Sequence, residues 1–204
     1  MREKILEFAI GQFSTYGIRN VTMDDVARQL GISKKTLYQE FKDKKELLKE
    51  TFEKKLQKDQ EDMSFLIESE DGVIEHLVNL SKYMRESLSK INPIAILEIQ
   101  KYFPDVWEIF ERHKEGIIQK DLVFILEKGK TLGYFRSEID SNILARLRVE
   151  QITSAFDPSN FQRNDFNLVD FQMQMLDHFL HGIFTEKGRQ AYQTQKETQE
   201  RTAS

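Results

Sequence analysis

The chain has 204 residues, 39% hydrophobic and 31% charged, with nine Gly, three Pro and no Cys. That length buries a real core as one medium domain or two small ones, the scarcity of Gly and Pro favours helices over a turn-rich β architecture, and the missing Cys excludes disulfides, thiolate zinc sites and cysteine redox switches. The net charge of −4 argues by itself against a nucleic-acid partner, yet residues 1–50 carry ten Lys and Arg against eight Asp and Glu, a surplus of two that leaves −6 for the rest.

Ile5, Leu6, Phe8, Ala9, Phe13 and Tyr16 recur at helical spacing with Gly17 just beyond, which predicts a first helix of about four turns. Glu3 and Glu7 interrupt this opening segment, so it does not read as a signal peptide. Thr22 followed by Asp24 and Asp25 is a helix start, because hydroxyl and carboxylate oxygens meet free N–H groups at the positive end of the dipole. Val26, Ala27 and Leu30 face inward and Gly31 ends this short helix. Ser33 caps the next, from Lys34 to about Glu40, with Leu37 and Phe41 as its apolar positions. Asp43 caps a longer helix carrying Leu47, Leu48, Phe52 and Leu56. Between Gln57 and Asp62 it is polar on every face, so there it either bridges solvent or breaks; we read it as a connector from Lys44 to about Met63.

The remainder reads as further helices. Ile74, Leu77, Val78, Ser81, Met84, Leu88 and Ile91 form one stripe, and Asn92-Pro93 opens a short helix to about Tyr102. Pro104 forces a new start, Val106 to Lys128 reads as one long helix, and Gly129 and Gly133 mark its end. Asp140 caps a helix from Ser141 to Phe156, the stretch from Asp157 to Asn160 is a loop, and Leu168, Met175, Leu176, Phe179 and Ile183 give a last apolar helix from about Asp165 to Phe184. From Thr185 to Ser204 the chain is polar and is expected to fray. No segment approaches the roughly 18 apolar residues of a membrane span, and a soluble, cytoplasmic protein is expected.

The segment from Val21 to Leu47 carries the functional signal. Two short helices that cross closely need a small residue at the crossing, supplied by Ala27, and a turn residue tolerant of positive φ, supplied by Gly31. Leu37 is the apolar residue of the second helix that faces back into the first, with Val26, Leu30 and Ile32 completing a small core. This is helix-turn-helix spacing; an ordinary helical hairpin with charged faces shares much of it. The second helix also exposes Lys34, Lys35, Thr36, Tyr38 and Gln39 near its start, the cations, hydroxyls and amides that read phosphates and base edges. Lys44 and Lys45 open the following helix, where free N–H groups also attract phosphate.

The run from Gly31 to Lys44, GISKKTLYQEFKDK, together with Gly17, Val21-Thr22 and Val26-Ala27, resembles the signature of the tetracycline-repressor (TetR) family. The resemblance covers about the first 50 residues. It implies an all-α fold of about nine helices: a three-helix DNA-binding domain over residues 1–47, a helical effector-binding and dimerisation domain over 48–184, and a polar tail over 185–204. The expected activity is that of a repressor released from a palindromic operator by a small apolar or aromatic ligand, with double-stranded DNA, a second copy and that effector as partners, and with no cofactor, metal, membrane or enzymatic role. A carrier or helical interaction protein that no longer binds DNA is the alternative. Carried onto this sequence, the resemblance assigns DNA contacts to Thr22, Ser33, Lys34, Lys35, Thr36, Tyr38, Gln39 and Lys44. Glu40 departs from the family pattern, since an acid facing phosphate is repelled.

For the body, the resemblance implies a pocket, for which Tyr83, Tyr102, Phe103, Trp107, Phe110, Phe124 and Phe156 are candidates, each of which core packing would also explain. It likewise implies a dimer interface on the last two helices, with Leu144, Ile152, Met175, Leu176 and Phe179 as candidates against ordinary intramolecular packing. Asp177, His178 and His181 could be read as a metal cluster, but a His near a helix C-terminus is already explained by the dipole. No nucleophile elbow, P-loop, GxGxxG or HExxH is present.

Overall fold

The structure, a computed structural model, describes residues 1–67, 72–161 and 167–202. The chain runs through α1 (Arg2–Tyr16), α2 (Met23–Leu30), α3 (Lys34–Glu40), α4 (Lys44–Ile67), α5 (Gly72–Ser89), α6 (Pro93–Tyr102), α7 (Pro104–His113), a π-helical turn (Lys114–Ile118), α8 (Gln119–Thr131), α9 (Ser141–Ser154), α10 (Pro158–Phe161), α11 (Leu168–Ile183) and α12 (Glu186–Thr202). An isolated antiparallel bridge pairs Phe135 with Phe184. The all-α expectation holds. Among the described residues there are three more α-helices than the nine expected: the long helix after Pro104 is divided by the π turn, the expected loop at Asp157–Asn160 contains α10, and the polar tail contains α12. No helix among the described residues is long and apolar enough to cross a membrane.

The helix ends follow from local chemistry. The hydroxyl of Thr22 accepts from the Asp25 N–H at 3.1 Å while the Asp25 carboxylate accepts from the Thr22 N–H at 3.1 Å, a reciprocal capping box that satisfies two orphan donors of α2. Ser33 does the same one-sidedly for α3, accepting from the Thr36 N–H at 3.0 Å. For α4, the Asp43 carboxylate accepts from the Glu46 N–H at 2.8 Å and Glu46 reaches back to accept from the Lys42 N–H at 2.5 Å. Asp140 and Asn167 cap α9 and α11 in the same manner. The expected start of the last helix at Asp165 lies outside the described residues; α11 begins at Leu168.

Two compact units form. The first comprises Met1–Gln60 and Lys90–His113. Its core joins Ile5, Ala9 and Phe13 of α1, Val26 and Ala27 of α2, Leu37 of α3, Phe41, Leu47 and Leu48, and recruits Ala95 and Ile99 from α6 and Val106 from α7. Leu37, Phe41 and Leu47 are fully buried, each contributing about 1.5–3 kcal/mol of burial. α6 is held to the end of α1 by polar bonds as well. The Asn92 N–H donates to the Ser14 carbonyl at 2.7 Å, and the buried Glu98 carboxylate accepts from the Ile18 and Arg19 N–H groups at 2.6 and 3.0 Å.

The second unit comprises Glu61–Ser89 and Lys114–Ser204. Val73, Ile74 and Leu77 of α5, Ile125 and Leu126 of α8, Ala145 of α9, and Leu176, Phe179, Leu180 and Ile183 of α11 form its core with Phe135 and Phe184. The expectation of a fraying tail is corrected by α12, which packs on α5. Ala191 and Tyr192 supply its apolar contact, the ring of Tyr192 stands 5.3 Å from that of Phe184, and the Gln199 amide donates to Asn79 Oδ1 at 2.8 Å. Gly188 permits the docking, since a Cβ there would collide with the Tyr134 carbonyl. The segment is polar because a single narrow face is buried, and that face is too sparse to register as a periodic stripe.

Candidate nucleic-acid interface

The crossing of α2 and α3 is built as the spacing required. Ala27 and Leu37 are buried at the contact. Gly31 stands at φ 67, ψ 27, the left-handed conformation that an L side chain rarely adopts. With the chain so turned, the Ile32 N–H reaches back to the Ala27 carbonyl at 3.0 Å and closes α2.

This frame leaves one face of α3 outward. Lys34, Lys35, Tyr38 and Gln39 are exposed, Tyr38 at 50%, and Thr36 is half-buried. Lys34 forms an ion pair with Asp24 across the two helices. Both partners are exposed, so the pair is weak and phosphate can displace Asp24 at little cost. Ser33 and Thr36 share a hydrogen bond at 2.8 Å, and Ser33 also caps α3, so its hydroxyl serves the helix start first. Thr22 is exposed at the start of α2 but likewise engaged, donating to Asp25 Oδ2 at 2.6 Å. Hydrogen bonds from Thr22, side chain first and backbone second, hold the Asp25 carboxyl below the usual carboxylate range.

Lys44, the first residue of α4, is half-buried. Desolvation pulls its ammonium below the usual lysine value, the charges of Glu98 and Asp25 oppose that, and Arg19 adds to it. Lys45 is tied to Asp105 at 3.0 Å.

Glu40 resolves differently from a residue facing DNA. Its carboxylate lies 3.9 Å from the Arg2 guanidinium, which also donates to Glu50, with Nε to Oε2 at 2.9 Å, and lies 4.1 Å over the Phe41 ring. Arg2 additionally donates to the Glu40 carbonyl. The acid that departs from the family pattern is thus occupied on the side of α1. Nothing in the local sequence flags this pairing, since Arg2 and Glu40 are 38 residues apart.

Residues 5–51 match the family model described as bacterial regulatory proteins, tetR family. The helix-turn-helix head, residues 5–51, is of the TetR type. A curated relative, the uncharacterized HTH-type transcriptional regulator YhgD of Bacillus subtilis (strain 168), is 28% identical over 143 residues, covering 70% of this chain and 69% of that one. Among solved structures, a transcriptional regulator from Cytophaga hutchinsonii ATCC 33406 superposes with a TM-score of 0.69 at 22% identity, covering 90% of this chain and 98% of its own. A regulator from Saccharomonospora viridis, solved in complex with choline, superposes with a TM-score of 0.68 at 22% identity over 91% and 98%. These likenesses show that the chain shares the fold of these regulators over about nine-tenths of its length, beyond the matched head.

The aromatic residues that sequence reasoning grouped as a pocket are divided between the two units. Tyr102, Phe103, Trp107 and Phe110 belong to the first unit and Tyr83, Phe124 and Phe156 to the second. Phe110 is buried and stacks at 4.8 Å on Trp107, which packs with Phe103 against the first core. Tyr102 is exposed, with the Arg19 guanidinium 4.9 Å over its ring. Phe124 is 56% exposed on α8, while Tyr83 and Phe156 are half-buried. Of the residues read as a dimer face, Leu176 and Phe179 lie in the core of the second unit and Leu144 packs against it; Ile152 and Met175 are half-buried. Outward apolar surface on α9 comes instead from Ile143 and Leu147, 65% and 48% exposed and one turn apart. A finer count of the helical period around Ala145 and Val149 would have separated these two from the inward row. His181 Nδ1 lies 2.9 Å from the Asp177 carbonyl, and among the described residues no three metal-ligating side chains gather.

Proposed function

We propose that this TetR-type regulator is a homodimeric repressor that leaves a pseudo-palindromic operator when a small apolar or aromatic ligand binds its body. The observation that carries the reading is the capped α2–α3 pair, whose buried Ala27–Leu37 contact leaves Lys34, Lys35, Tyr38 and Gln39 outward. In this reading α3 enters the major groove. Lys34, Lys35, Thr36, Tyr38 and Gln39 contact bases and phosphates from it, Thr22, Ser33 and Lys44 hold the flanking backbone, and two heads dock in successive grooves about 34–36 Å apart.

Ile143 and Leu147 support a two-fold interface on α9, since an outward apolar pair one turn apart offers surface that a second copy can bury. The helical bundle of the second unit supports the effector reading, as does the choline held by the Saccharomonospora viridis regulator. α4 runs as one helix from Lys44 into the second unit, so a ligand that displaces its far end would change the separation of the heads. A spacing error forfeits the effective concentration of the second contact. The test is binding of the full chain to DNA flanking its own gene, by fluorescence anisotropy with and without a panel of small apolar and aromatic compounds. Sequence-specific binding weakened by at least one compound is expected. Absence of any preference over random DNA would favour the carrier reading, and a preference that no compound alters would remove the release step.

A further inference from the structure

The inward row of α9 consists of Ser141, Ala145, Arg148 and Val149. Arg148 is 2% exposed, as deeply buried as the core leucines Leu126 and Leu180 of the same unit. Its Nη1 donates to Gln151 Oε1 at a long 3.4 Å, its Nη2 has no hydrogen-bond partner, and among the described residues no carboxylate pairs with it. A guanidinium taken out of water costs several kcal/mol unless a charge or a full set of acceptors replaces the hydration. Burial alone pushes its pKa down to about 10, so it still carries its charge at neutral pH.

Two other helices of the same unit bury a polar group with an open valence. Gln172 of α11 is 1% exposed; its amide donates to the Ile152 carbonyl at 2.8 Å while Oε1 has no partner. His76 of α5 is 2% exposed with Nδ1 unpartnered. Ile143 and Leu147 occupy the opposite, outward side of α9, so a second copy docked there would not reach the guanidinium.

We propose that Arg148 is the anion anchor of a ligand site inside the second unit, and that the ligand is a small organic acid whose carboxylate takes the guanidinium and whose apolar body lies among the surrounding aliphatic side chains. A carboxylate accepts from a guanidinium in a two-point geometry, and one buried cation balances one negative charge, which fits a monocarboxylate better than a dianionic phosphate. Gln172 Oε1 takes a hydroxyl or amide N–H of such a ligand. This assignment rests on the effector reading above and narrows its chemical class.

The experiment is thermal stabilisation of the full-length protein by benzoate, phenylacetate and decanoate, each against its neutral primary amide, in wild type, Arg148→Met and Arg148→Lys. In the wild type at least one acid is expected to stabilise at a concentration at least tenfold lower than its amide. Arg148→Met is expected to melt at or above the wild-type temperature without ligand and to lose that preference, and Arg148→Lys to keep part of it. A preference below tenfold in every pair, a preference that survives in Arg148→Met, or failure of both variants to fold would overturn the proposal, the last because it would make Arg148 a structural residue. Anisotropy on DNA flanking its own gene separates the two readings. An acid that binds through Arg148 without altering DNA affinity leaves the site standing and removes the release step. Release by an acid that Arg148→Met does not affect overturns the site and leaves release standing.

Discussion

Glu98 is the side chain whose removal tests the architecture of the head most directly. It sits on the apolar α6, is buried, and accepts from two consecutive backbone N–H groups, those of Ile18 and Arg19, at the junction between α1 and α2. Gly17 stands against its carboxylate at φ 82, where a Cβ would come within 3.2 Å of Oε2. In Glu98→Ala the two amides lose their acceptor. A hydrogen bond to a charged group is worth about 1.5–3 kcal/mol net, and removal of the buried carboxylate returns part of its desolvation cost. The expected loss is therefore about 2–3 kcal/mol. For a chain of this size that lowers the melting temperature by about 5–10 °C. Glu98→Gln keeps one oxygen acceptor and is expected to lose about 1 kcal/mol. Urea titration followed by circular dichroism reads both. Operator affinity should fall in the same order, because Thr22 follows the junction by four residues and inherits its placement. If Glu98→Ala retained stability within about 0.5 kcal/mol of wild type, the junction would be held by apolar packing alone and the role assigned to this carboxylate would be refuted.

Four further outcomes are expected. Gly31→Val should destabilise the head by about 1–3 kcal/mol through backbone strain, since a Cβ at that position meets open space; Gly31→Asn should cost far less, and equal melting of the two variants would contradict the strain argument. Lys44→Ala should weaken binding to all DNA sequences and flatten the plot of log K against log salt by about one unit, and an unchanged slope would remove Lys44 from the phosphate contacts. Burial pushes the His76 imidazole down to about 4, so between the unfolded value of 6.5 and that figure the unfolded chain binds more protons. Stability should thus fall as pH drops through this window, by roughly 3 kcal/mol when titration is complete, and level off below it; Leu at position 76 should flatten the profile, and an unchanged profile would place the pH dependence elsewhere. Leu147→Glu should weaken dimerisation at least tenfold in sedimentation analysis while helicity is retained, whereas an unaffected dimer would move the interface off this face of α9.

What was readable without coordinates was local. Helix starts at Thr22, Ser33, Asn92 and Asp140 follow from short polar side chains that satisfy N–H groups two or three residues ahead, and Gly31 follows from a left-handed turn that other residues resist. The family signature lies in the same local register, which is why the head and its outward α3 face were legible. Tertiary structure decided everything that joins distant parts of the chain. Arg2 and Glu40 meet across 38 residues, Glu98 and Ile18 across 80, and Gln199 and Asn79 across 120, each selected by packing that no window of sequence contains. The same reason separates Leu176 and Phe179, turned into the core, from Ile143 and Leu147, turned out. Composition ranks all four as apolar; the helical period sorts the residues of α9 into rows, and the packing of α8 and α11 against one side of α9 determines which row remains exposed.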